Sequence, residues 1–126
     1  MARMIDHISL GVGDTSAAKA FYARALKPLG YQVVVEHGPV IGLGVMGREN
    51  GPNAELWLVP ADEPTAMHLA LTAESAEQVD AFYEAALAAG GRDNGNPGER
   101  PQYHPGYYGA FVLDPDGHNL EAVFHG

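Results

Sequence analysis

From Met4 to Val12 the chain reads MIDHISLGV, with Ile8, Leu10 and Val12 on one side and His7, Ser9 and Gly11 on the other. This is the two-residue period of a strand. After Asp14, Thr15 and Ser16, which are helix-capping residue types, the period lengthens. Ala18, Phe21, Tyr22, Ala25, Leu26 and Leu29 recur at helical spacing, and Gly30 stands where the chain must leave the helix. The stretches Tyr31 to His37, Ile41 to Gly47 and Glu55 to Val59 then predict three strands, with Gly51-Pro52-Asn53 as a turn.

The same order returns further along the chain. Shifted by 61 positions, the segment from His7 to Gly30 falls on the segment from His68 to Gly91 without a gap, and eight of the twenty-four positions are identical. They include His7 with His68 and the run Ala20-Phe21-Tyr22 with Ala81-Phe82-Tyr83. The first strand therefore has a counterpart over Met67 to Ala73. The helix has one opened by Ser75 and Gln78 in a capping-box arrangement, with the stripe Val79, Phe82, Tyr83, Ala86 and Leu87. Shifted by 66, the segment NGPNAEL falls on DGHNLEA, which matches Glu55 with Glu121. The five-residue difference is assigned to an insertion in Arg92 to Pro105, a stretch rich in Gly, Pro and Asn that reads as a long, lid-like loop. Strands over Tyr108 to Leu113 and Asn119 to His125, joined by the turn Asp114-Pro115-Asp116-Gly117, close the second half.

The expected fold is α+β: two βαβββ modules related by a pseudo-twofold repeat, pooling their strands into one curved mixed sheet with helices on its outer face. Module one covers residues 1–62 and module two residues 66–126 of one domain, 1–126. If the helices cover Ile8, Leu10, Leu69 and Leu71, strand alternation turns His7 and His68 to the inner face. The same parity sets Glu55 with Trp57 and Val59, and Glu121 with Val123 and His125. A carboxylate in an apolar strand is costly unless it is paired or holds a metal. His7, Glu55, His68 and Glu121 are therefore the candidate metal ligands.

Composition narrows the chemistry. The formal charge is −9, from sixteen Asp and Glu against seven scattered Lys and Arg, so no basic patch offers itself to nucleic acid. Cysteine is absent, which removes sulfur ligands and thiolate nucleophiles. Nitrogen and oxygen donors suit one divalent ion per site, Zn, Ni, Mn, Co or Fe, without choosing among them. No apolar run reaches eighteen residues, so neither a membrane partner nor a signal segment is expected and a cytoplasmic location is the default.

The segments DHISLGVGDTSAAKAFYARAL, AELWLVP, MHLALTA and YYGAFVLDPDGHNLEAVFHG resemble the vicinal oxygen chelate superfamily, which holds glyoxalase I, extradiol dioxygenases and bleomycin-binding proteins. The resemblance spans essentially the whole chain. The loop cations (Arg48, Arg92, Arg100) are few for a glutathione-like substrate, and ALKPLGYQVVV after the first helix resembles the short glyoxalase-like members. The resemblance implies ligands in the first and last strand of each module, where His7, Glu55, His68 and Glu121 stand. It also implies chelation of two neighbouring substrate oxygens by the ion, with Glu121 or Glu55 moving the proton. The implied activity is that of a metal-dependent isomerase, lyase or epimerase on a small oxygenated substrate. The alternatives are an Fe(II) extradiol-type dioxygenase, which takes two His and one carboxylate and leaves Glu55 unexplained, and a non-catalytic antibiotic-binding protein, which needs no metal ligands. Trp57, Arg100, His104, Tyr107 and Tyr108 are the expected substrate-binding residues. His37 and His118 sit in turns and are expected to be solvated. His125 shares the parity of Glu121 but lies near the chain end, and Asp114, Asp116 and Gly117 read as turn formers. Exposed edges and apolar surface favour a homodimer.

Overall fold

A computed structural model of the chain describes residues 5–45 and 54–126. Met4, the end of the third expected strand, Arg48 and the turn at Gly51-Pro52-Asn53 lie outside them. Strand β1 (Ile8–Val12) leads into helix α1 (Thr15–Ala25), a single 3₁₀ turn (Lys27–Leu29), and strands β2 (Tyr31–His37), β3 (Val40–Val45) and β4 (Leu56–Pro60). The second module repeats the order with β5 (His68–Thr72), α2 (Ala76–Ala88), β6 (Arg92–Glu99), β7 (Tyr107–Leu113) and β8 (Asn119–His125). The two βαβββ modules of the expected α+β fold are present.

The local signals act as their chemistry dictates. The Asp14 carboxylate accepts from the backbone N–H groups of Ser16 and Ala17, satisfying two donors that the first turn of α1 cannot use itself. At α2 the Ser75 hydroxyl accepts from Gln78 N–H, while the Gln78 side chain accepts from Glu74 N–H, one residue before the cap. Gly30 ends the first helical segment at φ 90°, a conformation that side chains disfavour.

Each module builds its own four-stranded sheet, in the orders β1-β4-β3-β2 and β5-β8-β7-β6. Pooling into one hydrogen-bonded sheet does not occur among the described residues. The halves meet instead through α1 against α2, and Leu10, Leu56, Leu58, Phe21, Phe82, Val112 and Leu120 join one buried core. The core lies on the helix side of both sheets, as strand parity predicts.

The expected lid-like loop is corrected. Residues 92–99 form the edge strand β6, antiparallel to β7. Gly, Pro and Asn are poor strand formers, but register shifts between Asp93 and Gly95 and between Gly95 and Gly98 absorb them, and Pro97 falls within the second. The turn-rich part shrinks to residues 100–106. No helix of the described residues is long and apolar enough to cross a membrane.

Candidate functional site

The inner face of module two carries the strongest chemistry. In β8 Glu121 lies opposite Phe111 of β7 and opposite Ala70 of β5. Its carboxylate is only 1% exposed, yet it sits on the face away from the helices. His68, two residues before Ala70, reaches diagonally to it, with Nε2 2.7 Å from Oε1. Tyr107, on that face of β7 beyond Gly109, donates its hydroxyl to Oε2. Burial, then the hydrogen bond and charge of Glu121, push the Tyr107 phenol up to about 12. Gly109 makes room for this arrangement: a Cβ there would come within 3.3 Å of Glu121 Oε2 and 3.1 Å of the Tyr107 ring.

Around this carboxylate lies an aromatic and imidazole rim. Tyr103 and Tyr107 meet edge to face with centroids 4.9 Å apart. His104 Nε2 lies 2.9 Å from His125 Nδ1, and Tyr107 packs edge-on against both rings. His125 thus belongs to a side-chain cluster and is held in β8; its shared parity with Glu121 was the signal. Tyr108 departs from expectation. It alternates with Tyr107, so its hydroxyl points to the helix side and donates to Asp80 of α2 at 2.7 Å.

The inner face of module one is built differently. Trp57 lies over Gly42, where a Cβ would fall 3.0 Å from the indole and 2.7 Å from the Ala54 methyl. His37, expected to be solvated, stacks on Trp57 with centroids 6.5 Å apart, although its ring stays exposed. His7 Nδ1 meets its neighbour Asp6 at 2.6 Å, and its side chain is half exposed. Glu55 is partly buried next to β4, and its carbonyl accepts from Ile8 N–H.

The repeat is looser here than the alignment of the two halves implies. Ile8 faces Leu56 in the β1–β4 ladder, whereas Leu69 faces Leu120 in the β5–β8 ladder. Glu121 therefore occupies the register position of Trp57, and Glu55 that of Asn119. Both carboxylates keep inner-face parity, but they stand two residues apart along their strands. Among the described residues no three His, Asp or Glu side chains converge as a metal-binding group. One chain thus brings His68 and Glu121 together and leaves His7 and Glu55 elsewhere. The buried carboxylate and its imidazole neighbour are oxygen and nitrogen donors of the types that divalent ions take.

The junction of the modules holds a cleft of about 630 Å³. Its walls are Ile8, Leu29 and Tyr31 on one side and Leu69 and Leu71 on the other, with Glu55 among the lining residues. These are mostly helix-side residues. The cleft does not reach His68 or Glu121.

His118 corrects another expectation. It is 1% exposed, accepts from Met67 N–H at Nδ1 (3.0 Å) and donates from Nε2 to the Gly11 carbonyl (2.8 Å). The neighbouring Asp114 is equally buried. It accepts from the Tyr22 hydroxyl at 2.5 Å and from the backbone N–H groups of Asp116 and His118, and Asp116 accepts from Gly13 N–H at 3.0 Å. The DPDGH turn is thus a clasp between modules as well as a turn.

Comparison with known proteins places this architecture. The family model described as Glyoxalase/Bleomycin resistance protein/Dioxygenase superfamily matches residues 4–122. The chain belongs to this superfamily. A glyoxalase/bleomycin resistance protein from Albidiferax ferrireducens is 28% identical, with TM-score 0.82 over 97% of this chain and 99% of that one. A glyoxalase-related enzyme from Fulvimarina pelagi is 24% identical, with TM-score 0.69 over 98% and 88%. A family enzyme from Burkholderia phytofirmans is 20% identical, with TM-score 0.73 over 96% and 98%. The last two likenesses speak for the fold alone. No curated protein matches the sequence. As a superfamily member the chain has the vicinal oxygen chelate fold.

Proposed function

We propose that the protein is a divalent-metal-dependent, glyoxalase-like enzyme of the isomerase, lyase or epimerase type, acting on a small oxygenated substrate. The observation that carries this reading is the His68–Glu121 pair, an almost wholly buried carboxylate on the inner face 2.7 Å from an imidazole. A buried carboxylate needs strong partners, and a metal ion would add to the imidazole and phenol already beside it. The full ligand set is His7, Glu55, His68 and Glu121. Because one chain gathers only the second pair, a homodimer in which His7 and Glu55 come from a second copy completes the set.

When bound, the ion would hold two adjacent substrate oxygens and stabilise negative charge that develops on them. The protein's own groups do the rest. Tyr107 holds one oxygen of Glu121 through its hydroxyl, so the carboxylate keeps one orientation as substrate enters. Glu121 and Glu55 are the groups available to take a proton from the carbon beside those oxygens and return it. Tyr107, with its phenol pushed up to about 12, stays protonated at neutral pH and holds its hydrogen bond throughout. Trp57, Tyr107 and His104 contribute walls of the substrate space.

Elemental analysis after loading with Zn, Ni, Mn, Co or Fe(II), followed by dialysis, tests the reading. About one ion is expected per four-ligand site, with loss of binding in the His7→Ala, His68→Ala double variant. Stoichiometric metal unchanged in that variant would overturn the assignment.

A further inference from the structure

Module two has a rigidly held cation on its inner face. Arg100 donates from Nη2 to the Asn96 carbonyl at 2.7 Å, and from Nη1 to the carbonyls of Gly98 at 2.9 Å and Glu99 at 3.5 Å. The guanidinium carbon lies 5.5 Å from the centre of the Phe111 ring. Two glycines of β6 lie alongside it. A Cβ at Gly95 would approach Nη2 to 3.4 Å, and one at Gly98 would approach Nη1 to 3.3 Å. Among the described residues no carboxylate lies within ion-pair distance of Arg100.

A guanidinium has five N–H donors, and carbonyls take three of them here. Two remain, on the adjacent nitrogens Nε and Nη2, with a planar spacing that suits the two oxygens of a carboxylate. Phe111 beneath Arg100 is the direct cross-strand neighbour of Glu121, and its ring centre lies 6.0 Å from that of His68. The cation therefore sits about one aromatic ring from the proposed metal ligands, on the same face.

We infer that Arg100 selects substrates that carry a carboxylate, received by its two unused N–H donors, with the adjoining carbon skeleton lying over Phe111 and under the Tyr103–Tyr107 rim. The net charge of −9 would otherwise repel an anion, so recognition draws on this local positive group. The inference deepens the proposed function, since it rests on the inner face being the substrate cleft. Its own test needs no metal.

The probes are phenylacetate and its neutral amide, titrated into metal-free protein and followed by ¹H–¹⁵N NMR. Phenylacetate is expected to bind roughly tenfold more tightly than phenylacetamide, in line with a charge-assisted bidentate pair, and to shift the Arg100 Nε–H resonance. The preference should vanish in Arg100→Met and survive, weakened, in Arg100→Lys, which keeps the charge without the fork. If Arg100→Met does not fold, the Nε–H shift in the natural protein decides the matter, since only the acid should move it. Equal effects of acid and amide, none from either, or an acid preference that persists in Arg100→Met would overturn the inference. A protein that keeps the preference but binds no metal would defeat the proposed function and leave this assignment standing.

Discussion

Asp114 and Tyr22 stand 92 positions apart in the chain and meet at 2.5 Å, with both side chains buried. Tyr22 belongs to α1 of the first module and Asp114 to the turn that opens the last strand of the second. Burial first, and the Asp114 charge next, raise the Tyr22 phenol well above its ordinary value. Replacing Tyr22 by Phe removes a hydrogen bond to a buried charge and should cost about 1.5–3 kcal/mol in urea unfolding. The pH dependence has a definite sign. A pKa higher in the folded than in the unfolded state gives stability that is complete below pH ~10 and declines as pH rises past that unfolded value. Tyr22→Phe should therefore flatten the alkaline loss of stability, and an equally steep loss in the variant would contradict this role.

His118 holds Met67 N–H of its own module and the Gly11 carbonyl of the first, so its truncation leaves both without their partner. His118→Ala should destabilise the protein by roughly 1–3 kcal/mol for each buried group that water cannot reach. Thermal unfolding of His118→Ala beside His37→Ala is the check. The His37 ring is exposed and only stacks on Trp57, so its loss should be small, and equal losses would refute the clasp.

Gly42 has no space for a side chain. A Cβ would lie 2.6 Å from Val35 Cγ1 and 2.7 Å from the Ala54 methyl, and Trp57 closes the third side. Gly42→Ala should cost about 1–3 kcal/mol through overpacking. Because Trp57 is the only tryptophan, its fluorescence should shift in the same variant. An unchanged spectrum and unchanged stability would mean that the sheet yields more easily than close packing allows.

Glu55 and Glu121 differ by two positions in strand register, so their substitution by Gln separates a shared ligand role from an unequal one. If both bind the ion, metal titration should show losses on the order of tenfold or more for each variant. A collapse for Glu121→Gln with no change for Glu55→Gln would remove Glu55 from the ligand set and favour a three-ligand, dioxygenase-type site.

Completion of the ligand set by a second copy requires a homodimer at the concentration where metal binds. Light scattering should therefore give twice the mass of the 126-residue chain. A monomer that binds metal stoichiometrically would require His7 and Glu55 to approach His68 within one chain.

The elements and the buried faces were legible in the sequence because local physics writes them there. The period of two in Ile8, Leu10 and Val12, the helical stripe through Phe21 and Tyr22 and the cap at Asp14 depend only on nearby backbone geometry, and the repeat doubles each signal. Inner-face parity for His68, Glu121 and His125 follows from the same alternation. Contacts between distant segments were not written locally. The strand over Arg92–Glu99 forms against the local preference of RDNGNPGE because β7 supplies its hydrogen-bond partners. The two-residue offset between Glu55 and Glu121 comes from ladder pairing, which an ungapped alignment of the halves does not contain. His118 and Asp114 look like turn residues until the first module covers them, for their partners Gly11 and Tyr22 lie about a hundred positions away. Residue type and spacing settled what each strand and helix presents; the packing of module against module decided which presented groups meet, since that depends on contacts no local period encodes.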